Sequence, residues 1–370
     1  MARLIALSLP LLLSASAFAA GFAPGDLAVI RVANGVGALG STATATYLDE
    51  YTPGGTFVQT VNLPTTTIGA NLALTLTGSG VNEGYMELSA NGQYLTLAGY
   101  NAAPGAATSS TTASATPRTI GLVRLSNGSV DTTTAINSGT SGNIRSVATV
   151  DGTGFWASSS SAGVGYFNYG GLQTATQLST SPSNTRVVRD IGGQLYVSTA
   201  SSPFIGLSSI GSGLPTASGQ TTTLFPGFPG ATSGSSQYDF FTYGNSAWLC
   251  DDRISGGNGG LQKWTLSAGT WSLQYTIGRS ATVGDRGLTV DMSTLSGNPT
   301  FYVTTTANTI DRIVDGGTLG LSSDTILVTG VSSGTGLGAF RGIVLIPEPS
   351  SLSLLGAFGF MLWGFRRRRC

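Results

Sequence analysis

Residues 144–179 read IRSVATVDGTGFWASSSSAGVGYFNYGGLQTATQLS. Four short apolar stretches stand in this run, IRSVATV, GFWASSS, VGYFNY and TATQLS, separated by Gly, Asp and Ser. Stretches of that length, rich in β-branched and aromatic residues and bounded by turn formers, read as strands joined by tight turns. Four strands within about 40 residues is the size of one blade of a β-propeller.

The same phrase recurs on both sides. A turn followed by an aromatic strand opens as NGQYLTLAGY at Asn91, DGTGFWASSS at Asp151, GGQLYVSTAS at Gly192, GNSAWLCDD at Gly244 and GNPTFYVTTT at Gly297. Each has one apolar strand before it and two after it, which predicts five four-stranded units between Gly84 and Gly330. The remainders fit together. FRGIVLI from Phe340 has no followers, while LAVIRV, TATYLDEY and TFVQTVNL near the start have no leader. One strand from the C-terminal side joined to three from the N-terminal side makes a sixth blade and closes the ring, removing open sheet edges. The expectation is an all-β, six-bladed propeller over residues 21–346. Seven blades is the alternative if LALTLT, Leu72–Thr77, belongs to a further unit. A β-helix is third, since its repeat would be shorter and more regular. The stretch Ala102–Pro117 has nothing to bury and reads as a mobile loop.

Composition narrows the chemistry. The 370 residues hold 54 Gly, no His, two Cys, and only 9% charged residues. Without histidine there is no Ser-His-Asp or Cys-His catalysis and no His-containing zinc site. Cys250 reads as a small buried apolar residue, and Cys370 lies in the tail, so no disulfide framework is expected. Leaving out Arg3 and Arg366–Arg369, the basic residues fall from 17 to 12 against 17 acidic ones. The body is mildly acidic and lacks a basic stripe, which argues against nucleic acid as a partner.

Both ends read as addresses. Residues 1–19 have Arg3, an apolar run from Leu4 to Leu13, and small residues at Ala17 and Ala19. That is the layout of a secretory signal peptide cleaved after Ala19. At the other end, Ser350–Phe365 are sixteen residues without a charge, followed by Arg366, Arg367, Arg368 and Arg369. As a helix at ~1.5 Å per residue they span roughly 24 Å, a short membrane segment held by arginines that resist translocation.

Pro347-Glu348-Pro349, the short apolar helix and the terminal arginine cluster together resemble the PEP-CTERM sorting signal. The resemblance covers residues 347–370 and implies a route rather than an activity. It implies recognition by an exosortase-type membrane protease, transient membrane insertion of an inner-membrane-anchored precursor, and delivery to the cell surface or extracellular matrix. It also implies an association with exopolysaccharide and biofilm.

Candidate chemistry in the body is sparse. GATSGSS at Gly230 and SGGNGG at Ser255 lack the endings of phosphate-binding loops, and both read as turns. Asp251-Asp252-Arg253 is the densest charged cluster, and its spacing does not match a calcium loop. No cofactor, metal site or catalytic residue is expected. One pattern points to a ligand. Arg145, Arg186, Arg286 and Arg341 each begin the first strand of a unit. First strands line a propeller channel, so these arginines are expected around one mouth. There they would bind an acidic sugar, or pair with carboxylates such as Asp190, Asp239 or Asp285 and tie blades together.

The expected function is an exported surface or matrix protein, structural, adhesive or carbohydrate-binding, without catalysis. A secreted polysaccharide hydrolase or lyase, and a protein-docking module at the cell surface, are the alternatives.

Overall fold

The computed structural model of the protein describes residues 20–33, 39–108, 113–231, 234–254, 259–330 and 338–348. The expected signal peptide, and the expected sorting tail from Pro349 through Arg366–Arg369, lie outside them.

Six antiparallel sheets stand in a ring as a six-bladed β-propeller. Blade 1 pairs Ala339–Leu345 with Leu27–Val32, Thr46–Tyr51 and Phe57–Asn62. The chain thus closes as the unpaired strands at its two ends require. Blade 2 holds Glu87–Leu88, Tyr94–Tyr100, Arg118–Arg124 and Val130–Ser138, and blade 3 holds Ile144–Thr149, Gly154–Ser159, Val164–Asn168 and Thr176–Gln177. Blade 4 runs Val188–Ile191, Gln194–Thr199, Gly206–Ile210 and Thr222–Leu224. Blade 5 runs Gln237–Tyr243, Ser246–Asp251, Gly260–Ser267 and Thr270–Ile277, and blade 6 runs Asp285–Asp291, Thr300–Thr305, Thr309–Val314 and Ser323–Thr329. The first strand of each blade is innermost.

Blade 2 carries an extra strand. Residues expected to lead into the last strand of blade 3 split: Gly171–Thr174 pairs in parallel with Val130–Ser138, and only Thr176–Gln177 stays with blade 3. Gly170 and Gly171 turn the chain with positive φ angles of 91° and 66°, which glycine adopts freely. The added strand covers the long outer edge of blade 2, which would otherwise stand open to pairing. Leu72–Thr77 makes no seventh blade. Only Leu76–Thr77 is a strand, and it pairs with Ala43–Thr44. The described start of the Ala102–Pro117 loop is anchored rather than loose, since Gly105 N donates to Ala43 O and Ala43 N to Ala106 O.

The core lies between blades. Trp248 of blade 5 packs on Phe301 of blade 6 with ring centroids 5.0 Å apart. Phe228 stacks on Trp264 at 4.3 Å. The aromatic strand that recurs in the sequence is the second strand of blades 2 to 6, and between blades 5 and 6 it supplies both packed rings, Trp248 and Phe301. Each such buried side chain contributes about 1.5–3 kcal/mol relative to exposure.

Candidate functional site: the two mouths of the channel

Three of the four arginines, Arg145, Arg286 and Arg341, stand at equivalent positions because their inner strands share a local irregularity. In blades 1, 3, 5 and 6 two inner-strand residues oppose one on the second strand, a β-bulge. The paired residues are Arg341-Gly342 against Ile30, Arg145-Ser146 against Ser158, Tyr238-Asp239 against Cys250, and Arg286-Gly287 against Thr304. A bulge re-aims a side chain out of the regular alternation, and here the first bulged residue meets its counterparts from other blades.

A circuit of hydrogen bonds joins these positions. Gly342 N donates to Gly84 O at 3.0 Å and Tyr85 N to Arg145 O at 3.1 Å. Ser158 Oγ donates to Arg186 O at 2.5 Å, and Ser198 Oγ donates to Tyr238 O. The Cys250 thiol reaches Gly287 O at 3.8 Å, and Thr304 Oγ1 donates to Arg341 O. The circuit passes through all six blades. Around it the side chains run Tyr85, Arg145, Arg186, Tyr238, Arg286, Arg341. Two members, Tyr85 and Tyr238, escape a search for arginine alone. The signal was present: GY-ME and QY-DF occupy the place of IR-SV, TR-VV, DR-GL and FR-GI.

This mouth is closed. Tyr85 and Tyr238, from opposite blades, have ring centroids 5.7 Å apart. Arg341 donates from Nε to Gly80 O and from Nη2 to Gly78 O, while Tyr85 OH donates to Val81 O and Tyr238 OH bonds Asn82 Oδ1. Segment 78–85 therefore lies over the ring, and Arg145 and Arg341 are only 6% and 3% exposed. Burial, and then the charge of Arg186, brings the Arg145 pKa down to about 10. Burial brings Arg341 to about 10 as well, with Arg286 acting in the same direction.

The carboxylates named above as partners are not the ones used. Asp239 pairs with Arg189 at 2.8 Å, Asp190 accepts from Gly193 N, and Asp285 Oδ2 has no partner. Of the four arginines only Arg286 meets a carboxylate within ion-pair distance, Asp252 Oδ2 at 3.3 Å. Arg145 and Arg341 are bound by backbone carbonyls. Arg186 donates to Ser236 Oγ and Gln237 O and lies 3.7 Å above the Tyr238 ring. Within the Asp251–Arg253 cluster Arg253 donates from Nε and Nη2 to both oxygens of Asp251 at 2.8 Å, while Asp252 accepts from Ser236 Oγ and faces Arg286. Cys250 is buried, and that burial raises its thiol pKa far above the usual range.

The other mouth is open. The inner strands leave the channel at Leu88–Ala90, Arg189–Gly193, Leu288–Ser293 and Val344–Glu348, and these segments line a cup of about 550 Å³. That lies within the roughly 300–1,000 Å³ typical of small-molecule sites. At its base Arg189 bridges blades, with Nε 3.1 Å from Glu87 Oε1, Nη2 2.8 Å from Asp239 Oδ1, and Nη2 donating to Leu288 O. Burial pushes the Glu87 carboxyl well up in pKa against the pull of Arg189, and burial raises Asp190. Leu88, Ile191, Phe241, Val290 and Met292 supply apolar wall. Pro347 and Glu348, the described part of the expected sorting motif, stand at the rim beside Gly25. Among the described residues no group of His, Cys, Asp and Glu is placed to hold a metal ion, and no helix is long and apolar enough to cross a membrane.

No family description matches the sequence and no curated protein is similar to it. Solved structures resemble its fold. A candidate 6-phosphogluconolactonase of Bacteroides fragilis is 12% identical with a TM-score of 0.48, over 82% of this chain and 83% of its own. The periplasmic gluconolactonase of Pseudomonas aeruginosa is 11% identical at 0.45, over 87% and 100%. The WD40 propeller domain of Doa1 is 9% identical at 0.41, over 84% and 92%. At such identities the likeness concerns the fold alone.

Proposed function

We propose that this is an exported protein of the cell surface or extracellular matrix whose propeller holds carbohydrate, without turning it over, in the open cup. The cup itself carries the reading. Apolar wall from Phe241, Ile191 and Met292 beside the carboxyls of Asp190 and Glu87 and the guanidinium of Arg189 suits a ring of alternating C–H and O–H groups. Carboxyl oxygens accept from sugar hydroxyls and arginine donates to them. The export half of the proposal rests on the signal-peptide layout and the PEP-CTERM resemblance, through which an exosortase-type protease would release the body.

Purified residues 20–348 would be passed over immobilised neutral and acidic polysaccharides while soluble reducing ends are assayed. Retention without product is expected, and Met292→Trp, which fills the cup, should weaken it roughly tenfold with the melting temperature kept. Equal retention of that variant would defeat the reading. The rival is a hydrolase or lyase. It draws on Glu87 and Asp190, two carboxyls that burial holds toward the protonated form in one cup, as an acid catalyst requires. Steady product release, abolished in Glu87→Gln, would favour it.

A further inference from the structure

We propose that the half of the closed mouth between Arg145 and Arg186 binds an oxyanion. The tyrosine pair Tyr85–Tyr238 divides this mouth, leaving Arg286 and Arg341 on one side and Arg145 and Arg186 on the other. The first side is chemically complete. Arg286 has Asp252, and Arg341 donates to the carbonyls of Gly78, Gly80 and Phe340.

The second side is not. Arg145 donates from Nη1 to Thr185 O, and its Nε is buried with no hydrogen-bond partner. Arg186, the next blade's guanidinium, meets a hydroxyl, a carbonyl and the Tyr238 face; Asp252 reaches it only through that hydroxyl, since Ser236 Oγ donates to Asp252 Oδ1 at 2.6 Å. The carboxyl that acts on Arg145, Glu83, is already engaged by Asn143, Thr77 and Tyr100. Its burial favours the protonated form, which weakens it as a counter-charge. A buried guanidinium, that of Arg145, beside a second half-buried one, with no carboxylate in direct contact with either, is costly. Arginine does not shed its proton to escape that cost. An anion recruited from solution removes it. A guanidinium edge with a free N–H matches two oxygens of a carboxylate or sulfate.

The same chemistry can arrive as a free inorganic oxyanion or as the acidic group at a sugar chain's end. A polymer's interior is excluded by segment 78–85 over the ring. This inference is independent of the carbohydrate reading of the cup at the far mouth.

The test follows the melting temperature of residues 20–348 on titration with sodium sulfate, with sodium chloride at matched ionic strength as the reference. Short oligogalacturonates form a second arm. A saturable rise of a few degrees is expected in the wild type, absent in Arg186→Gln and kept in Arg286→Gln. Sulfate acting alone identifies a free anion, and oligogalacturonate acting alone identifies a sugar end group. Should Arg186→Gln fail to fold, wild-type crystals soaked in selenate should show anomalous density between Arg145 and Arg186. No saturable rise in either arm, an unchanged response in Arg186→Gln, or no such density overturns the site.

Discussion

Tyr85 of blade 2 and Tyr238 of blade 5 lie three blades apart around the ring, yet their ring centroids are 5.7 Å apart. They span the channel and bar one of its two mouths. Tyr238 also takes Arg186 on its face at 3.7 Å and has Arg286 at 5.9 Å, so one aromatic ring serves two cations from neighbouring blades. Cation–π contacts of this kind contribute about 0.5–2 kcal/mol each.

Removing the bar should therefore cost more than one side chain's burial. Tyr85 is fully buried in the largest inter-blade cluster, and Tyr85→Ala should lose about 3–5 kcal/mol in urea unfolding. Tyr238→Phe, which keeps the ring and drops the hydroxyl bond to Asn82, should lose only about 1 kcal/mol. A Tyr85→Ala loss no larger than that of Tyr238→Phe would show that the bar has no structural weight.

Closure gives a second prediction. Ala339–Leu345 is the inner strand of blade 1 and pairs with Leu27–Val32, with Ile343 opposite Val29. A chain ending at Gly338 loses that strand and exposes two sheet edges, and it should not melt cooperatively at the full-length temperature. A milder lesion probes the same seam. A Cβ on Gly342 would lie 2.6 Å from both Gly84 O and Met86 N, backbone atoms that cannot move aside. Gly342→Ala should destabilise by about 1–3 kcal/mol, read from the urea midpoint.

The third prediction concerns pH. Asp285, Asp311 and Asp324 converge on blade 6, each with one buried oxygen lacking a hydrogen-bond partner. Arg279 pairs with Asp311 alone, at 2.6 Å. Burial, then the charge of Asp311, pushes Asp324 up to about 6. Burial, then Asp324 and Asp311, pushes Asp285 far above the usual carboxyl range. A folded-state pKa above the unfolded value means that the native state holds the proton more tightly. The stability is present in full below about pH 4 and is lost as pH rises through 6. Melting temperature should fall from pH 5 to pH 8, and Asp324→Asn should flatten the fall. An unchanged slope in that variant would contradict this account of the raised carboxyl.

Processing supplies the fourth. If the ends are addresses, mass spectrometry of the native protein from envelope or medium will find a new N-terminus near Ala20 and no peptide covering Leu352–Cys370. An intact Arg366–Arg369 segment recovered there would rule out cleavage. Glu348 stands at the rim of the cup, with its Oε1 2.8 Å from the place of a Cβ on Gly25, so a cut next to Glu348 would fall at the open mouth.

What the sequence determined by itself was the blade. Short apolar strands of residues 144–179, punctuated by glycine, are local facts, and six such units with a split first blade admit one closed ring. It also determined that the arginines share a position, because Arg145, Arg186, Arg286 and Arg341 sit at one offset in a repeated phrase. Tyr85 and Tyr238 share that offset too, and their role was legible in the alignment of units though not in residue type.

Only the tertiary structure decided the rest. Which carboxylate meets which cation depends on contacts between residues far apart in the chain, such as Arg189 with Glu87 and Asp239, and no spacing encodes them. The covering of one mouth by segment 78–85 was equally hidden, since it depends on carbonyls that every residue possesses. The cup assembles from the ends of strands in several blades, and burial there raises the pKa of Glu87 and Asp190. Blade identity is short-range and repeats along the chain. A channel's charge balance is a property of six blades brought together, and it exists only once the ring has closed.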